Sequence, residues 1–309
     1  MVDWIKAARL RTLPLSLSGI VMGAFIAKWR LGLQGADWDW KIFALAILVT
    51  LLYQVLSNFA NDYGDGVKGT DTHRTHTAEN RAVASGKISP KQMKNAMLLF
   101  SFLSLVATLA LLYLAFFPDF IYEFLIFTGL GLACILAAIG YTVGKNPYGY
   151  MGLGDIMVFI FFGLVSVCGS YFLFTKSFSW DILLPASAIG LMSTAVLNLN
   201  NMRDMESDKI SGKNTLALRL GFRGAMVYQM LLMQLPLVLI LIFLGVNQFF
   251  QTQNYYAFIV MILFFPLTKL RRSILQTKKQ KDLDPFLKQV GIITLMMAVL
   301  MAFGLNFFN

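Results

Sequence analysis

The sequence predicts an all-α fold, a polytopic membrane bundle of nine transmembrane helices. Three observations carry this. Of 309 residues, 57% are hydrophobic and only 14% are charged, against about 25% charged in a soluble domain; so few charges cannot cover a water-facing surface. Apolar stretches of about 20 residues, the length that crosses a bilayer, recur nine times. The basic residues fall overwhelmingly on one side when those stretches are threaded through a membrane. The same composition excludes a disulfide scaffold and a disordered chain. No large soluble domain fits between the spans, so residues 1–309 read as a single membrane domain.

In order, the spans are expected near 13–28, 41–63, 93–116, 120–143, 153–175, 182–203, 224–246, 254–270 and 286–307. The first is short, bounded by Arg11 and by Lys28 and Arg30. Before it, Met1 to Thr12 is polar and basic, and no small-residue cleavage site follows the first apolar run, so no cleavable signal peptide is expected. With the N-terminus cytoplasmic, 22 of the 26 Lys and Arg residues lie in cytoplasmic segments, and only Lys28, Arg30, Lys41 and Lys176 lie on the other side. That asymmetry orients the chain N-in and C-out, expected in the cell's inner membrane with its working face toward the cytoplasm. The net charge of +10 is therefore read as positive cytoplasmic loops and not as a nucleic-acid footprint. The basic segment Lys269–Lys288 suits contact with anionic membrane lipid. Cys134 and Cys168 lie inside apolar stretches and are expected to be free structural thiols.

The acids gather in two cytoplasmic loops, about 64–92 and 204–223. At about 100° per residue, Asn58, Asn61, Asp62 and Asp65 fall within an arc of about 100° at the end of the second span. By the same rule Asn201, Asp204 and Asp208 share an arc of about 60° at the end of the sixth. Two helices thus each present an amide-and-carboxylate stripe at the same membrane face. Carboxylates at such depth are costly and usually functional. They repel one another unless cations intervene, and oxygen ligands favour Mg²⁺, which typically bridges carboxylates to phosphates. A Mg²⁺–diphosphate is the expected occupant. Lys68, Arg81, Lys145, Arg203, Lys213 and Arg219 are available to the remaining phosphate charge. The simpler alternative has these acids solvating helix ends and pairing with loop cations. His73 and His76 lie in one polar loop with no third nitrogen or sulfur ligand nearby, which reads as a solvated loop better than as a zinc site. Asp155 opens the fifth span after a Gly-rich turn, either complementing the helix dipole or contacting substrate.

Four stretches carry a family resemblance: Ala8-Arg-Leu-Arg-Thr-Leu-Pro14, Asn58-Phe-Ala-Asn-Asp-Tyr-Gly-Asp-Gly-Val-Lys-Gly-Thr-Asp71, Tyr141 to Asp155, and Asn200 to Gly221. With the span count, they resemble the UbiA superfamily of intramembrane prenyltransferases, and within it the 1,4-dihydroxy-2-naphthoate polyprenyltransferase branch. The resemblance implies that Asn58, Asp62, Asp65, Asp204 and Asp208 serve a Mg²⁺–diphosphate. It further implies that Arg81, before Ser85-Gly86, contacts the diphosphate, and that Tyr141 and Lys145 form a Tyr-x-x-x-Lys pattern. Asn58, Lys68, Arg81, Tyr141, Lys145, Asp155 and Asn201 make up the expected substrate-binding set. One departure stands out: Asp71 follows Asp65 by six residues, where the superfamily's third acid commonly follows by four.

The implied reaction joins a polyprenyl diphosphate to 1,4-dihydroxy-2-naphthoate with decarboxylation, giving demethylmenaquinone. A different aromatic acceptor, such as 4-hydroxybenzoate or homogentisate, is the nearest alternative. A cation-coupled transporter is disfavoured by acids placed at the membrane mouth with no Pro/Gly-broken helix pair at mid-depth. A CDP-alcohol phosphotransferase is disfavoured by the missing Asp-Gly-x-x-Ala-Arg signature.

Overall fold

The computed structural model describes residues 2–69, 81–247, 249 and 255–306, and every regular element among them is helical. The order is α1 (Val2–Ala8), α2 (Leu13–Leu33), α3 (Trp40–Val67), α4 (Pro90–Phe116), α5 (Ile121–Gly140), α6 (Gly154–Val158), α7 (Ser166–Thr175), α8 (Leu183–Arg203), α9 (Met205–Ile210), α10 (Leu216–Val246), α11 (Phe264–Leu275) and α12 (Asp284–Asn306). A π-helical stretch, Phe159–Val165, joins α6 to α7.

Local chemistry sets several boundaries. Asp39 caps α3 by accepting from the Lys41 N–H at 2.8 Å. Ser89 and Gln92 form a reciprocal capping box, with Pro90 at the first helical position, so α4 begins at Pro90. Thr215 caps α10. The predicted start of that span at 224 reflects a break inside α10, where Gly221 adopts φ 66°, ψ 168°. Only glycine reaches that region without strain, so the continuous part of the helix begins after it. The second span runs on to Val67, which places Asp65 on the helix. The sixth stops at Arg203, and Asp208 belongs to a separate short helix, α9. The stripe on the sixth span is therefore two pieces joined at Asp204.

Eight helical stretches among the described residues are long and apolar enough to cross a membrane. The predicted span at 254–270 differs in kind. It is a 3₁₀ stretch, Tyr255–Leu263, running into α11. At about 2.0 Å per 3₁₀ residue and 1.5 Å per α residue the pair extends about 36 Å, against about 30 Å of hydrocarbon.

α8 is the most buried span and α5 the least. α8 lies against α10, α12, α2 and the π-helical stretch. Small residues let the backbones meet: a Cβ on Gly163 would stand 2.6 Å from the Cα of Gly190, a closeness typical of membrane helix contacts. Buried amides join α8 to α10, where Asn198 Nδ2 donates to Gln229 Oε1 at 2.9 Å and to the Ala225 carbonyl at 3.0 Å. Tyr53 of α3 donates to the Gly131 carbonyl of α5 at 3.0 Å. At the end of the bundle remote from the acids, Arg30 pairs with Asp181 and donates to Tyr171, while Asn247 donates to Asp181 at 2.9 Å. This ties α2, α7, α8 and α10 together. Cys134 and Cys168 are free and partly buried, as their sequence positions predict.

Candidate active site

A cavity of about 890 Å³ opens between the helices. Its polar mouth is lined by Asn58, Asn61, Asp65, Arg81, Asp208 and Lys213, and its inner wall by apolar groups including Leu111, Phe127, Phe162 and Leu173. On α3 alone the lining runs from Asp65 back to Ala46, a distance of about 28 Å along the helix at 1.5 Å per residue. The π-helical stretch supplies Phe161, Phe162 and Val165 to this wall. π-helical turns inside α-helices frequently occur at functional sites.

The mouth joins the two acidic motifs through cations. Arg81 approaches Asp65 at 3.1 Å. Lys213 Nζ lies 3.3 Å from Asp65 and 3.6 Å from Asp208, so one ammonium reaches a carboxylate of each motif. Asp65 is 2% exposed and Asp208 4%; carboxylates this buried need such partners. The Tyr150 hydroxyl donates to Asp65 at 2.6 Å. Lys68 donates to the Thr142 carbonyl at 3.1 Å, and its ammonium stands 4.6 Å from the centre of the Tyr150 ring. Partial burial holds the Lys68 pKa below the usual lysine value, with Asp65 opposing and Lys213 adding to the shift. Tyr141, which lines the cavity, is driven well above the usual phenol range by burial and by nearby Asp65, Asp155 and Asp208. It stays a protonated donor. Burial raises Tyr148 to about 12.

Other predicted residues lie differently. The carboxylate of Asp62 is 1% exposed and accepts from the backbone N–H groups of Ala82 and Val83 at 3.0 and 2.9 Å. It does not line the cavity. It pins the loop that carries Arg81, whose guanidinium also donates to the Asn61 carbonyl at 2.9 Å. Asp204 forms a two-point pair with Arg203 at 2.7 and 2.8 Å, and Arg203 also pairs with Asp284. Asn58 donates to the Ala8 carbonyl at 2.8 Å, fastening α1 to α3. Asn201 is buried and lines the cavity. Asp155 is buried beside the cavity wall, with Oδ1 unpartnered. Lys145 is exposed and does not line the cavity. Asp71, His73 and His76 lie outside the described residues.

Several cavity residues carry no distinguishing signal in the sequence, chiefly Tyr150, Gln54, Arg9 and Arg11. Arg9 and Arg11 looked like positive-inside charge. Arg9 instead takes φ 49°, and the short turn Leu10–Thr12 returns the chain to the cavity edge. Tyr150 lies within the stretch from Tyr141 to Asp155, and nothing in its spacing singles it out.

Among the described residues no three His, Cys, Asp or Glu side chains group closely enough to hold a metal ion between them. Hard-ion oxygens nevertheless converge on the mouth. The carboxylates of Asp65 and Asp208 are there, with Asn61, whose buried Oδ1 has no hydrogen-bond partner. This donor set fits Mg²⁺.

Residues 20–292 match the UbiA prenyltransferase family. The chain is 40% identical to the 1,4-dihydroxy-2-naphthoate octaprenyltransferase of Haemophilus influenzae, over 98% of this chain and 95% of that one. It is 37% identical to the Escherichia coli protein of the same name, over 98% and 94%. Its fold is similar to that of a UbiA homologue from Archaeoglobus fulgidus solved with DMAPP and Mg²⁺, with TM-score 0.66, 14% identity, and coverage of 99% of this chain and 100% of that one.

Proposed function

The chain belongs to the UbiA prenyltransferase family, and from that premise we propose that it transfers a polyprenyl group from a polyprenyl diphosphate to 1,4-dihydroxy-2-naphthoate. The acceptor loses its carboxyl group as CO₂, and the product is demethylmenaquinone, an intermediate of menaquinone biosynthesis. The observation that carries this reading is the joined mouth: Asp65 and Asp208, from two distant motifs, share Lys213 over the polar end of a long apolar cavity. The relatives' shared name supports the naphthoate acceptor.

The residues divide the work by their place. Mg²⁺, held by oxygens of Asp65, Asp208 and Asn61, would neutralise charge on the departing diphosphate. Asp62 and Asp204 belong to the same motifs, and each would join the ion only on leaving its present partners. Arg81, Lys213 and Lys68 offer cations to the same leaving group. Asn58 and Asn201 border the mouth, and Tyr141 offers a hydroxyl beside it. The apolar wall accepts the prenyl chain and keeps water from the allylic cation. Ring faces such as Phe161 and Phe162 favour a nearby cation. The whole chain forms one domain in the inner membrane, with the mouth toward the cytoplasm.

The test is one assay on purified protein. It combines 1,4-dihydroxy-2-naphthoate, a polyprenyl diphosphate and Mg²⁺, with parallel arms containing EDTA or replacing the naphthoate by 4-hydroxybenzoate, read by mass spectrometry. Mg²⁺-dependent demethylmenaquinone from the naphthoate arm alone is expected. Product only from 4-hydroxybenzoate would overturn the acceptor, and product unaffected by EDTA would overturn the metal.

A further inference from the structure

Tyr150 joins groups from three parts of the chain. Its hydroxyl donates to Asp65 of α3 at 2.6 Å. Its ring lies beneath two ammoniums, Lys68 Nζ at 4.6 Å and Lys213 Nζ at 4.8 Å from the ring centre. Its carbonyl accepts from the N–H of Asn214, next to Lys213, at 2.9 Å. The turn that carries it is fixed independently: Gly149 N–H donates to the Tyr141 carbonyl at 3.0 Å, and Arg219 donates to the Met151 carbonyl at 2.8 Å. Tyr150 therefore comes to the cavity mouth on a braced backbone and lines it.

Two ammoniums drawn to one ring repel each other. The negative face of the ring offsets part of that repulsion, and Asp65 and Asp208, each paired with Lys213, offset more. A carboxylate alone would collect the lysines as fixed ion pairs. The phenol ring holds Lys68 and Lys213 by a contact that is not an ion pair, while Lys213 is also shared between Asp65 and Asp208, from which a diphosphate would draw it.

We propose that Tyr150 is a positioning residue for the diphosphate: its ring presents Lys68 and Lys213 to the phosphate oxygens, and its hydroxyl holds Asp65 in place. This rests on the prenyl-transfer reading above and assigns part of the diphosphate subsite to a residue outside both acidic motifs. The two roles separate by substitution. Tyr150→Phe keeps the ring and removes the hydroxyl; Tyr150→Leu removes both.

The experiment measures binding of inorganic diphosphate to full-length purified protein by calorimetry, alongside KM and kcat for the polyprenyl donor. Tyr150→Leu is expected to weaken diphosphate at least tenfold and to raise the donor KM to match. Tyr150→Phe is expected to hold diphosphate affinity and donor KM within about twofold of wild type, the loss falling on kcat. In a Lys68→Met/Lys213→Met background, Tyr150→Leu should weaken diphosphate no further. Unchanged diphosphate affinity in Tyr150→Leu would overturn the proposal. So would a tenfold loss in Tyr150→Phe, which decides the matter if the leucine variant fails to fold. Because the probe is diphosphate itself, these outcomes stand even if wild-type protein makes no product from the naphthoate.

Discussion

At the residue scale, the acids of one motif divide into different tasks. Asp65 faces the cavity among Arg81, Lys213 and Tyr150, whereas Asp62 turns away and holds the backbone of the Arg81 loop. Removing each therefore has a different signature. Asp62→Ala leaves two buried N–H groups unpaired, at about 1–3 kcal/mol apiece. It should lower the thermal midpoint clearly as well as activity, because Arg81 loses its fixed loop. Asp65→Ala should cut kcat by on the order of 10²–10³ with a smaller change in midpoint. Thermal unfolding and initial rates on the two purified variants check this. Equal midpoints for Asp62→Ala and wild type would remove Asp62 from its anchoring role.

At the element scale, α8 meets the π-helical stretch through backbone contact at Gly163 and Gly190. A Cβ on Gly163 would press on the Gly190 Cα at 2.6 Å and the Ala186 carbonyl oxygen at 2.7 Å. Both are backbone atoms, and neither can rotate aside. Gly163→Ala is therefore expected to destabilise by about 1–3 kcal/mol. It should also weaken prenyl-donor binding, because the same π-helical stretch carries Phe161 and Phe162 into the cavity wall. Gly169→Ala makes a control, since a Cβ there meets only an ordinary contact with Phe127 at 3.9 Å. Comparing detergent-solubilised thermal midpoints of the two variants gives the answer; equal midpoints would mean the helices can separate at no cost.

At the scale of the whole molecule, the two motif-bearing helix ends share one face of the bundle, and the Arg30–Asp181–Asn247 cluster closes the other. From the charge asymmetry we propose that the motif face is the cytoplasmic one. Single cysteines at Lys87 and Lys209, in a background lacking Cys134 and Cys168, should resist a membrane-impermeant maleimide in intact cells and react after permeabilisation. A cysteine at Trp180, which is 79% exposed at the opposite end, should react in intact cells. The reverse pattern would invert the topology and place the mouth outside.

The features legible in the amino-acid order are those that depend on composition and on spacing along one helix. Apolar length sets a span, and charge asymmetry is the ground for the proposed orientation. Helical periodicity gathers Asn58, Asn61, Asp62 and Asp65 within one arc, although Asp62 holds the Arg81 loop and does not line the cavity. These are local properties, legible because hydrocarbon forces backbone hydrogen bonds to close within each segment. How those faces meet follows from packing across the bundle. The break at Gly221, the π-helical stretch and the 3₁₀ winding of Tyr255–Leu263 depend on neighbours that spacing cannot reveal. The same holds for the site. Lys213 bridging Asp65 and Asp208, Tyr150 under two lysines, and Asp62 withdrawn to a loop are contacts between residues up to 148 positions apart. Buried charges select their partners by distance through the fold, and that distance is not legible in local spacing along the chain.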